Sequence, residues 1–271
     1  MRIGVYVYGL ASAAAGIMDL IWGNFDADHQ PIQAFVDHIP GVTILAYITA
    51  AWMIAGGAAI LWRRTERVGG ALLAVIYFVF TVFWLPRFYT APHFLGIRIP
   101  VYIGVMAGAG SQLIAFAAGA VVYATAPLHD SSSKSPRTIV IARWIFALCS
   151  IDFGLGHLTD LKDNFIYVPN WMPLGAEFWI IVTGICFVLA GLAILSRIQD
   201  VPGAWLLGLM FLTFNIVALP QFILADPKDH AAWGGYAYNL AAVGACWILA
   251  DALATRQHLT QNQQSANLSL A

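Results

Sequence analysis

The chain has 271 residues, 60% of them hydrophobic and only 10% charged, with a net charge of −1 and a mean hydropathy of +0.75. A soluble domain carries roughly 25% charged residues, so this chain lacks the charge to cover a water-facing surface and reads as an integral membrane protein. Its near-neutral charge offers no field for nucleic acid, and Cys149, Cys186 and Cys246 lie singly in apolar runs with no CxxC spacing, which gives no disulfide framework to read.

A helix needs about 20 apolar residues to cross the hydrocarbon core. Eight runs approach that length: 3–23, 43–62, 69–86, 101–125, 139–158, 176–196, 203–224 and 235–254. They are too long, and alternate too little, to be barrel strands. The expected fold is all-α: a polytopic membrane protein with eight transmembrane helices. The first run follows Arg2 and holds small residues from Ala11 to Ala15, as a signal peptide would. It continues to Trp22 and further spans follow, so an uncleaved helix is expected. The third run ends on WLPRFYTAPH, Trp84 to His93. The fourth holds Gly104 and Gly108, a spacing that lets helices pack closely in lipid. HDSSSKSPR, His129 to Arg137, is a polar linker. The seventh run ends on ALPQFILADPKDH, Ala218 to His230, and the Gln/Asn-rich tail after residue 255 is expected to be disordered.

Leu219-Pro220 stands 134 positions after Leu85-Pro86. The same offset carries Thr49 to Thr183, Gly57 to Gly191, Ile60 to Ile194, Arg63 to Arg197, Gly69 to Gly203 and Phe88 to Phe222. An offset of 138 carries Ser12 to Ser150 and Gly16 to Gly154. The chain therefore reads as two tandem four-helix units: residues 1–126, a cytoplasmic linker over 127–138, residues 139–255, and the tail over 256–271. An even number of spans per unit makes the repeats parallel, related by an axis along the membrane normal. Arg2, Arg63, Arg64, Arg67, Lys134, Arg137, Arg143, Arg197 and Arg256 fall on the side of the termini, against Arg87, Arg98, Lys162 and Lys228 on the other. That bias predicts a multi-pass protein of the cell membrane with both termini in the cytoplasm. The Leu-Pro endings then face outward and read as helix terminations beside an aromatic belt.

An ionisable residue within a span is a functional candidate. Asp19 and His157 occupy equivalent places under the 138 offset and could meet as acid and base, or each could reach water from its helix end. Asp152 lies deeper, about 140° around the helix from His157. Asn215, Gln112, Asn239 and Arg143 are its candidate partners. The loops opposite the termini collect His29, His38, His93, His157 and His230 with Asp26, Asp28, Asp37, Asp160, Asp163, Asp226 and Asp229. Such a mixture could ligate a metal, but no HxxxH or HExxH spacing appears among them, so they are read first as solvated loop charges and no metal is assigned.

VPNWMPLGAEFWIIVTGICFVLAGLAIL, Val168 to Leu195, resembles the DoxX-like membrane proteins, as do FGLGHL, Phe153 to Leu158, and LPQFILADPKDHAAW with its following helix. LPRFYTAPHFLGIRIP carries the resemblance into the first half. The resemblance implies four-helix membrane bundles, a histidine at the position of His157, and for some relatives a link to membrane redox complexes and quinone. The chain departs from the pattern where Trp84 and Ala218 replace a histidine before Leu-Pro, and where Gln221 replaces the arginine present as Arg87. The leading functional expectation is a membrane component of a quinone-linked redox system. Quinone is the candidate cofactor, Asp152, His157, Asp19, Trp171 and Arg87 the candidate site, and lipids and other redox subunits the partners. An assembly subunit without catalysis and a small-molecule or lipid transporter working at the repeat interface are the alternatives.

Overall fold

Along the first span, residues that turn inward recur at helical spacing: Tyr8, Ala11, Ser12, Ala15 and Asp19 are buried, while Leu10, Ile17 and Ile21 stand outward. This is the pattern of a helix with a packed face and an apolar, lipid-suited back. A backbone in hydrocarbon must satisfy its own donors and acceptors, which selects helices. The computed structural model describes residues 2–26, 29, 40–126 and 136–269, and within them it is all-helical, with no strand. Ten α-helices follow in order: α1 Ile3–Trp22, α2 Val42–Leu61, α3 Glu66–Trp84, α4 Arg87–Leu95, α5 Ile99–Thr125, α6 Pro136–Thr159, α7 Gly175–Ser196, α8 Asp200–Thr213, α9 Pro220–Ala225 and α10 His230–Ser269. Eight spans are long and apolar enough to cross a membrane, the seventh running from α8 through α9.

α1 packs on α2 and α10, α2 on α3, α3 on α5, α5 on α6 and α10, α6 on α7, α7 on α8, and α8 on α10. The first span of each half thus lies against the last span of the other, and α5 and α10 are the most buried of the eight. One core runs through both halves. Helix pairs approach closely where a side chain is missing. A Cβ on Gly57 would stand 2.5 Å from the Gly9 carbonyl oxygen and 2.8 Å from Ala13 N. One on Gly191 would stand 2.7 Å from the Ala147 carbonyl oxygen and 3.1 Å from Ile151 N. Gly191, Ala147 and Ile151 are reached from Gly57, Gly9 and Ala13 by the offsets of 134 and 138. The acids that open α3 and α8 are also at matching positions. Glu66 pairs with Arg2, and Asp200 accepts from Gln257 at 2.8 Å.

Neither Leu-Pro motif simply ends a helix; each turns the chain into a short helix, α4 or α9. The local geometry differs. At Pro86 the chain tightens, with Leu85 N donating to Val82 O at 3.1 Å. At Pro220 it widens: Phe214–Ala218 forms a π turn, and Leu219 N donates to Phe214 O at 3.0 Å. Proline lacks the N–H and its ring crowds the carbonyl four residues earlier, so a wider or tighter turn must absorb the strain.

The tail corrects its expectation. α10 is 40 residues long, about 60 Å at 1.5 Å per residue, and carries helix to Ser269. No Gly or Pro follows Gly244 to break it. The expected linker over 127–138 lies mostly outside the described residues, with α6 beginning at Pro136. Asp28, Asp37 and His38 also lie outside them.

Candidate functional site

α1 closes on Gly23, whose backbone adopts φ 67° and whose N–H donates to Asp19 O at 3.0 Å. That left-handed turn suits glycine and sends the chain back over the helix end. Asp26 then reaches Asp19: its N–H donates to Asp19 Oδ1 at 3.2 Å. Asp26 Oδ1 in turn accepts from His29 N at 3.0 Å. His29 Nδ1 lies 3.2 Å from Asp26 Oδ2 and 3.4 Å from Asp19 Oδ2. From the opposite half, His230 at the start of α10 brings Nε2 to 3.2 Å from Asp19 Oδ1.

Aromatic rings enclose this group. His29 stacks on Phe80 at 4.2 Å and meets Tyr77 edge-on at 6.4 Å. Tyr77 OH hydrogen-bonds Ser12 Oγ at 3.0 Å. Trp22 stacks on His230 at 4.9 Å, and its Nε1 donates to Lys228 O at 3.0 Å. Gly234 lets α10 close over the group, since a Cβ there would stand 2.7 Å from Asp26 Oδ2. Asp19, Asp26 and His29 keep exposures of 0%, 3% and 1%. Two carboxylates this deep require compensating positive charge, from imidazolium or from a cation.

Two expectations change here. Asp19 does not reach water at its helix end and does not meet His157; its partners are His29 and His230. Asp26 and His29, read as solvated loop charges, are buried, because both are held against Asp19 at the end of α1. The spacing Asp26-x-x-His29 directly after Trp22-Gly23 was the available sequence signal.

His157 occupies a second place. Its Nδ1 lies 3.0 Å from Thr183 Oγ1. Phe187 meets it edge-on at 5.2 Å, and Phe214 lies nearly parallel at 6.3 Å. Phe153 and Phe211 pack against Phe187 at 5.7 and 5.5 Å. Asp152 is buried with 7% exposure, and no hydrogen bond joins it to Asn215, Gln112, Asn239 or Arg143 among the described residues. Arg87 is buried with its guanidinium 3.8 Å above the Trp84 ring, in the first half. Trp171 is 72% exposed. The five candidates therefore do not converge on one site. Two surface grooves, of about 300 and 420 Å³, run along Arg67, Val75 and Tyr123 and along Leu189, Leu195 and Ile198, and are lined by none of the five.

No family model, no curated protein and no solved structure matches the chain.

Proposed function

We propose that the chain is a membrane component of a quinone-linked redox system, with the quinone head received at His157. The observation that carries this reading is the His157–Thr183 contact inside a ring of phenylalanines. Thr183 has a single hydroxyl hydrogen and gives it to Trp179 O at 2.8 Å, with Ile180 O next at 3.2 Å. Its oxygen therefore accepts from His157, so Nδ1 carries the hydrogen and Nε2 keeps a lone pair. A hydroquinone hydroxyl can donate to that lone pair and leave its proton there on oxidation. The two electrons then pass to a partner redox subunit, and the second proton to water at the membrane boundary. Phe187, Phe211 and Phe214 supply apolar faces suited to a ring.

The resemblance of Val168 to Leu195 to DoxX-like proteins supports the same reading. The basic bias of the loops favours both termini in the cytoplasm, with the His157 end of the bundle outward. The exposed grooves suit acyl chains of membrane lipids. The test is binding of a short-chain quinone analogue to the protein in lipid nanodiscs, read by tryptophan quenching. Saturable binding, weakened about tenfold in His157→Ala as for loss of one hydrogen bond, is the expected result. Absence of saturable binding, or equal binding in His157→Ala, contradicts it.

A further inference from the structure

At the end of α1, one oxygen of Asp19 and one of Asp26 turn to a shared point at His29. Asp19 Oδ1 accepts from Asp26 N and faces His230 Nε2, each at 3.2 Å. Asp26 Oδ1 accepts from His29 N at 3.0 Å. The second oxygens, Asp19 Oδ2 and Asp26 Oδ2, both face His29 Nδ1, at 3.4 and 3.2 Å. Asp19 Oδ2 accepts no hydrogen bond of normal geometry although its residue has no exposure. Asp19, Asp26 and His29 can each present one ligand atom so that the three lie within 4.8 Å of one another. Ligand atoms about 2.1 Å from a common ion stand about 3.0 Å apart at right angles and about 3.4 Å apart at the tetrahedral angle. The separations of His29 Nδ1 from the two carboxylate oxygens fall in that interval.

Charge leads to the same place. One divalent cation neutralises both carboxylates with the imidazole left uncharged, as metal ligation requires. His230 then performs the outer task, holding Asp19 Oδ1 so that Oδ2 keeps its direction. Stacking on Trp22 fixes the His230 ring in turn.

We propose that Asp19, Asp26 and His29 bind one divalent first-row transition ion, with His230 as the positioning residue. Two oxygens and one imidazole nitrogen suit Mn²⁺, Fe²⁺ or Zn²⁺; Ca²⁺ and Mg²⁺ favour all-oxygen sites. Its three ligands lie in the first half and the site involves none of the His157 contacts, so it stands or falls apart from the quinone reading.

The experiment uses the full chain in detergent. Mn, Fe and Zn are measured by mass spectrometry after purification without chelator, and the stripped protein is titrated with Zn²⁺ against a chromophoric chelator. The expected result is one saturable ion per chain. Asp19→Asn and His29→Gln each weaken Zn²⁺ binding by about 100-fold or more, and His230→Gln by about tenfold. Asp163→Asn, at the exposed start of a short 3-10 helix, keeps the wild-type affinity. Because Asp19→Asn also breaks a buried ion pair, the wild-type protein supplies a control free of substitution: Zn²⁺ raises its Tm and chelator reverses the rise. Absence of saturable Zn²⁺ binding to the wild type, or affinity retained in both Asp19→Asn and His29→Gln, overturns the proposal.

Discussion

The end of α1 and the end of α6 are built on corresponding positions and hold opposite chemistry. Asp19 at the first is carried by the offset of 138 to His157 at the second. The offset of 134 carries Met53 to Phe187, Tyr77 to Phe211 and Phe80 to Phe214. One end is therefore a carboxylate held by two imidazoles, with a tyrosine and a phenylalanine as walls. The other is a single imidazole among phenylalanines, tied to one threonine hydroxyl. Three differences of side chain separate a charged centre from an apolar one, while the helix contacts at Gly57 and Gly191 stay alike. The lesson is that packing and chemistry separate in this molecule: small residues set the helix distances, and a few residues at the helix ends set what each end can hold.

The strongest way to break the comparison is to empty the hub of each end. Asp19→Ala leaves two imidazoles facing a lost carboxylate, and breaking one partner out of a buried ionic group costs about 4 kcal/mol. A large fall in Tm, followed by tryptophan fluorescence in detergent, is expected. A Tm near wild type would mean that the group is weakly coupled to folding. Forcing the packing comes next. Gly57→Val and Gly191→Val each place methyl groups against a facing helix backbone and should each cost about 3 kcal/mol. Similar losses from both sharpen the likeness of the halves, whereas a loss from only one breaks it.

His157→Phe is the contrasting substitution to Asp19→Ala. It fits a phenylalanine cage and removes one hydrogen bond, so it should cost only about 1 kcal/mol in the same assay. The smallest effect is expected at the corners. Pro220→Ala removes the cause of the π turn at Phe214–Ala218 and should change stability by less than about 1 kcal/mol. Amide hydrogen exchange across 214–219 should slow as the turn narrows, and unchanged exchange would show that the wide turn has another cause.

Much of the architecture could be read in the sequence because the lipid solvent demands it. A run of apolar residues long enough to cross hydrocarbon has only one backbone solution, and all eight expected runs are helices. The site was less legible, for a physical reason. Asp19 meets His29 and His230, and only the fold joins a loop and a distant helix start at one point. Composition treats a loop holding Asp and His as solvated; it carries no sign that the chain after Gly23 brings Asp26 to Asp19, or that Gly234 leaves room for α10 beside Asp26. Pairing Asp19 with His157 across an axis failed because α1 and α6 pack chiefly against other helices. The tail misled in the opposite direction. Its Gln and Asn side chains are polar, but a chain with no breaker continues the helix already begun in α10.

The central claim is that two ends of similar build carry separate functions. The direct measurement is a crossed one, with Zn²⁺ affinity and quinone-analogue affinity determined side by side in wild type, Asp19→Asn and His157→Ala. The account predicts that Asp19→Asn loses Zn²⁺ and keeps the analogue, while His157→Ala weakens the analogue and keeps Zn²⁺. Loss of both affinities in either well-folded variant would mean one shared site and contradict it.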